Sequence, residues 1–168
     1  MIPLSATRSA LLTWSRIPRT QSYELRNPDR TLATLHHLRG MSPHFMAESQ
    51  DGRWVFRRNG FLGAGAEILD ADSQQPIASF KAAWSGGGVL SFSDGPKFRL
   101  ECDGLWHPVW TLIAGDSQPV LRLHSREKTV DLLGSHVADR RLSVLILFTW
   151  YRVLQAHEDA AAAAMIAS

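Results

Sequence analysis

The sequence has a single cysteine, Cys102. One thiol excludes an intrachain disulfide and a cysteine-built zinc site, and it fits a reducing, intracellular setting. No apolar run reaches the roughly 20 residues that a membrane-spanning helix needs. The longest, Leu142 to Leu154 (LSVLILFTWYRVL), already contains Arg152, and His157, Glu158 and Asp159 stop its extension. No acid precedes Glu24, and residues 1–23 carry Arg8, Arg16 and Arg19 among several Ser and Thr. That composition is like a mitochondrial transit peptide, yet Leu11, Leu12, Trp14 and Ile17 suit a first strand or a loose arm equally well. No apolar h-region follows Met1, so no secretory signal is expected. Signatures of catalysis are missing too: there is no G-x-S-x-G elbow, no H-E-x-x-H and no P-loop. Ser85 lies beside Gly86-Gly87-Gly88 without a following strand-to-helix turn, and Gly63-Ala64-Gly65 lacks the rest of a dinucleotide fingerprint. Three histidines fall close together (His36, His37, His44) and His124, His136 and His157 are scattered, without an i, i+4 pair on a clear helix. The expectation is a chain with no catalytic residues, no cofactor and no metal.

What is present suits one globular domain. At 168 residues the chain can bury a sizeable core. Hydrophobic content of 45% and charged content of 20% are ordinary. Six Trp and seven Phe suit a β interior. Charge is uneven along the chain: residues 1–60 hold nine Arg against four acids, a net of +5, and residues 61–120 hold three bases against seven acids, a net of −4. The basic first third suits an anionic surface or is simply solvated.

The segment from Leu142 is apolar on nearly every side, so it must be enclosed. The chain before it reads as short strands. Trp54 and Phe56 fall on one face of a strand, with Arg53, Val55 and Arg57 on the other. Asn59-Gly60 is a hairpin signal. The stretch from His37 to Gln50, with Gly40 and Pro43, reads as an irregular loop with room for a short strand. An internal repeat is the strongest pattern. RWVFRRNGFLGAGAEILDADSQQPIASF, from Arg53, matches KFRLECDGLWHPVWTLIAGDSQPVLRL, from Lys97, at an offset of 44 that becomes 43 before Pro76 and Pro119. YELRNPDRTLATL, near the start, is a fainter relative of the second hairpin. Repeated hairpins build an antiparallel sheet that closes and removes its edges. The alternation gives about ten to twelve strands. Residues 1–21 are expected as an N-terminal arm or first strand and 22–168 as one barrel domain. Its central helix should span about 139–164, capped by Asp139 and prolonged by Ala160–Ala164.

These turns, the intervening GGGVLSFSDG and the terminal LSVLILFTWYRVL resemble the tubby C-terminal-like fold. That superfamily includes tubby C-terminal domains, LURP-one-related proteins and phospholipid scramblases, and the likeness is nearest to small bacterial members with a Trp-Tyr pair in the last helix, here Trp150-Tyr151. The resemblance covers roughly Tyr23 to Ala164. It implies a mainly β (α+β) fold: a closed antiparallel barrel of twelve strands surrounding one C-terminal hydrophobic helix. Tubby domains bind phosphoinositides through basic residues on the barrel wall, and scramblases act at membranes. The resemblance therefore implies a non-enzymatic binding or scaffold module, cytoplasmic or peripheral to the membrane. Its partner would be an anionic phospholipid surface or a protein, with no role for nucleic acid. Alternatives are a small-molecule carrier barrel and a membrane-anchored, scramblase-like protein.

Arg53, Arg57 and Arg58, with Trp54 near by, form a basic-aromatic group suited to anionic lipid, or else a solvated hairpin edge. Arg152 should snorkel to the barrel mouth or pair with an acid there. Cys102 reads as a packed, unreactive thiol.

Overall fold

The computed structural model describes residues 4, 11–38, 44–59, 64–133 and 140–167. Twelve strands precede one helix: β1 (Leu12–Arg16), β2 (Ser22–Arg26), β3 (Thr31–Leu38), β4 (His44–Ser49), β5 (Gly52–Asn59), β6 (Gly65–Asp70), β7 (Pro76–Ala82), β8 (Gly88–Phe92), β9 (Lys97–Asp103), β10 (Val109–Ala114), β11 (Pro119–His124), β12 (Thr129–Leu132) and α1 (Arg140–Ile166). Each strand pairs antiparallel with its neighbours in sequence, and β1 pairs with β12, so the sheet closes. Closure leaves no row of unpaired backbone groups at an edge.

The helix is the core of this barrel. Every residue from Ser143 to Gln155 is buried, on all sides of α1. Inward-pointing strand residues meet it ring to ring. Phe148 lies 5.6 Å from Phe56 and 5.3 Å from Phe80, and Trp150 stacks on Trp14 at 5.2 Å with an 8° interplanar angle. Tyr151 packs against Phe45 and Phe56, each at 5.4 Å. Offset stacking and edge contacts of this kind add about 0.5–1.5 kcal/mol per pair beyond the area they bury. Thr149 satisfies its buried hydroxyl within the helix, donating to the Leu145 carbonyl at 2.8 Å. From His157 onward the helix is exposed and projects beyond the wall.

The sequence repeat is a structural repeat. β5-β6-β7 corresponds to β9-β10-β11, and β6 and β10 differ by 44 at both ends. Both copies carry a β-bulge at the same place, between Ile68 and Leu69 and between Leu112 and Ile113. Both turns hold a left-handed residue at equivalent positions, Gln74 (φ 58°) and Ser117 (φ 68°). Asp70 and Asp116 accept backbone N–H bonds inside their turns, the local bonding that favours Asp there. The faint third relative shares the bulge, between Leu25 and Arg26, and uses Asn27 as its acceptor.

Three expectations change. Between His37 and Gln50 the described residues are mostly strand rather than a loop with a short strand in it: β3 runs to Leu38 and β4 occupies His44–Ser49. Its inward residues Phe45, Ala47 and Ser49 are too mixed in polarity to show alternation, and pairing with β3 and β5 supplies what propensity lacks. Asn59-Gly60 does not make a two-residue hairpin, because Asn59 pairs with Gly65, as Asp103 pairs with Val109. In the second copy the loop runs on through Pro108, which has no N–H for the ladder. Finally, α1 extends to Ile166, two residues beyond Ala164. The choice between arm and strand near the start resolves as a strand, since β1 pairs with β2 and β12. The Asp139 cap, Gly40, Pro43, Gly60 and His136 lie outside the described residues.

Candidate functional site

Because the strands alternate in direction, successive turns go to opposite ends of the barrel. At the end where α1 begins stand the turns 27–30, 50–51, 71–75, 93–96 and 115–118. Each carries an aspartate: Asp29, Asp51, Asp72, Asp94 and Asp116. Asp51 accepts from the Ser143 hydroxyl and Asp94 from Arg141, which fastens the helix start to the wall.

The end from which α1 leaves has different chemistry. Its described turns are 17–21, 83–87, 104–108 and 125–128. They contain no aspartate, and Arg19, Arg126 and Lys128 stand there against Glu127. Trp84, Leu105 and Trp106 are almost completely exposed on two of these turns. Met165 and Ile166 are exposed on the projecting helix. The turns that carry the tryptophans are built, not loose. Ala83 donates to the Gly87 carbonyl at 2.8 Å and Gly86 to the Ala83 carbonyl at 3.1 Å. A Cβ on Gly87 would lie 2.1 Å from the Leu100 carbonyl oxygen, so only glycine lets this turn approach β9. Ser125 donates from both its N–H and its hydroxyl to Pro108, tying the Trp106 turn to the next one, where Arg126 lies against the His107 ring.

Within the mouth, Arg58 donates to Asp159 at 2.8 Å, a clasp between β5 and α1. Arg152 is 8% exposed. It does not pair with an acid among the described residues. Its guanidinium donates to Gln155 Oε1 at 2.5 Å and lies 4.7 Å from the centroid of the Phe80 ring. Gln155 in turn donates to the Tyr151 hydroxyl at 2.5 Å. Burial and the nearby Arg58 lower the Arg152 pKa, and burial raises that of Tyr151, which keeps the phenol neutral. Beside the mouth is a cleft of about 290 Å³, between β1, β2, β3, β4 and α1, with Arg16, Tyr23, Phe45, Leu154 and Glu158 on its walls.

The basic-aromatic group expected from sequence is dispersed. Trp54 points into the barrel at 0% exposure, because it shares the inward face with Phe56, and so it cannot touch a surface. Arg53 pairs with Asp72 at the helix-start end, Arg57 pairs with Glu67 on the wall at 2.5 Å, and Arg58 turns to the opposite mouth. Cys102 is partly buried, and burial together with Asp103 raises its thiol pKa, which disfavours a thiolate. Ser85 sits in the exposed 83–87 turn. His36 contacts Ser22 at 3.0 Å, His124 contacts Asp131 at 2.9 Å, and among the described residues no three His, Cys, Asp or Glu side chains are grouped to hold a metal. Among the described residues no helix is long and apolar enough to cross a membrane. Sequence reasoning missed Trp84, Leu105 and Trp106. Their signal was available as bulky apolar residues within Gly- and Pro-containing turns, where nothing can cover them. The chain matches no family model, no curated protein and no solved structure.

Proposed function

We propose that the protein is a non-enzymatic binding module of the tubby-like type that rests on an anionic membrane surface through the helix-exit end of its barrel. One observation carries this: the exposed Trp84, Leu105 and Trp106 share that end with Arg19, Arg126 and Lys128. Tryptophan favours the membrane–water interface, where its ring is half-buried and its N–H stays wet. Basic residues beside it are attracted by anionic headgroups at about 1 kcal/mol each. Two of the aspartates at the other end are paired, Asp72 with Arg53 and Asp94 with Arg141, so the exposed tryptophans set the orientation and the bases beside them add the attraction. In this reading the protein is cytoplasmic and peripheral. The helix occupies the lumen, which gives a carrier function no support from the barrel interior.

Co-sedimentation with vesicles tests the reading. Binding should require anionic lipid and weaken as salt rises. Trp84→Ala with Trp106→Ala should abolish most of it, and Arg126→Ala with Lys128→Ala should lower the partition coefficient about thirtyfold, at roughly 1 kcal/mol per base. Binding indifferent to lipid charge, to salt and to these substitutions would sink the lipid reading and leave the aromatic end as a protein-docking face.

A further inference from the structure

The cleft beside the helix exit holds two opposite charges that do not meet. Arg16, at the end of β1, donates from Nε to the Thr20 carbonyl at 3.0 Å, and its terminal nitrogens have no partner among the described residues. Glu158, exposed on α1 and lining the same cleft, has no hydrogen bond or ion pair among the described residues. Both line the same cleft, yet their charged atoms lie farther apart than the 4.0 Å of an ion pair. Four surface arginines close on acids within reach, Arg53 on Asp72, Arg57 on Glu67, Arg58 on Asp159 and Arg99 on Glu101, and Arg16 does not, although Glu158 lines the same cleft. The buried Phe45 and Leu154 give the cleft an apolar floor, and the Tyr23 ring stands over Trp150 at 5.9 Å.

We propose that this cleft binds a small zwitterion, its anion toward Arg16, its ammonium toward Glu158 and a short apolar body against Phe45 and Leu154. A simple anion would meet Glu158 and a simple cation would meet Arg16, so each is disfavoured by one wall. A ligand carrying both charges a few bonds apart satisfies both walls at once. The volume of about 290 Å³ admits a molecule of amino-acid size. The same chemistry occurs in a free amino acid and in an ethanolamine phosphodiester headgroup. The proposal is independent of the membrane reading, because it concerns binding in solution without vesicles.

The test is titration of the full chain with L-leucine, glycerophosphoethanolamine, 4-methylpentanoate and leucine methyl ester. Calorimetry and the NMR signals of the His157 ring, which lines the cleft, report binding. At least one zwitterion should shift His157 and saturate, and the two single-charge analogues of leucine should bind about fivefold more weakly or worse, the scale of a half-exposed ion pair. Leucine alone would identify a free amino acid as the ligand class, and glycerophosphoethanolamine alone a headgroup. Arg16→Ala and Glu158→Gln, both at exposed positions, should each cost a similar factor. Trp84→Ala with Trp106→Ala should leave this binding unchanged while removing vesicle binding. No saturable shift with either zwitterion, or equal affinity for leucine and 4-methylpentanoate, would overturn the proposal.

Discussion

Arg152 shows how a buried charge is accommodated with no acid partner among the described residues. Its guanidinium is held by one amide oxygen and one aromatic face, and the chain Arg152–Gln155–Tyr151 is a polar thread through an apolar mouth. Such threads raise the cost of removing a middle member above that of replacing the charge. Denaturant unfolding should show Gln155→Ala destabilised by about 1–3 kcal/mol, because both neighbours lose their partner. Arg152→Met removes the buried charge but leaves one amide oxygen of Gln155 without its donor, so it should cost about 1 kcal/mol, less than Gln155→Ala. A large loss in Arg152→Met would mean that the charge itself is needed at the mouth. From sequence Arg152 stood out as the odd residue of an apolar run, and its position near the mouth was legible. Its partners were not, since an amide at i+3 and a phenylalanine from β7 carry no signal that sets them apart. Trp54 is the converse. Its inward face followed from alternation with Phe56, and the same alternation argued against the surface role assigned to it.

The helix and the repeated hairpins are the elements the sequence displayed most clearly. A helix apolar all round needs a wall, and two copies of strand, turn and strand offset by 44 supply one. Removing residues 140–168 should therefore leave a wall with no filling. The expected product is insoluble or molten, with strand signal by circular dichroism but no sharp thermal transition. A monomeric truncation with cooperative melting would contradict the enclosed-helix architecture. At finer grain Leu147→Ala, at a site with no exposure, should cost about 2–5 kcal/mol. β4 showed only as a short strand allowed within a loop because its inward side mixes Phe45, Ala47 and Ser49. Its strand character comes from neighbours on both sides, which local pattern cannot show.

At the scale of the whole molecule the charge blocks read along the chain dissolve. A meander sends alternate turns to opposite ends, so polarity depends on whether a turn is odd or even in the order, and not on which third of the sequence it occupies. That is why the basic first third is no surface of its own, and why the two ends differ so sharply once the strands are laid out. Where the barrel closes, the described residues of β1 and β12 share Leu12↔Val130 and Thr13↔Thr129 in register, with one further bond from the Trp14 N–H to the Lys128 carbonyl at 2.7 Å. This short seam should be the first part of the wall to open, and amide hydrogen exchange should be faster at Leu12 and Val130 than at Ile68 or Leu112. During synthesis β1 waits for more than a hundred residues before its partner leaves the ribosome, and the filling of the barrel is made later still. The nascent wall thus carries two open edges and an uncovered aromatic lining for most of its production, surface that is prone to aggregate until the helix that fills it is made.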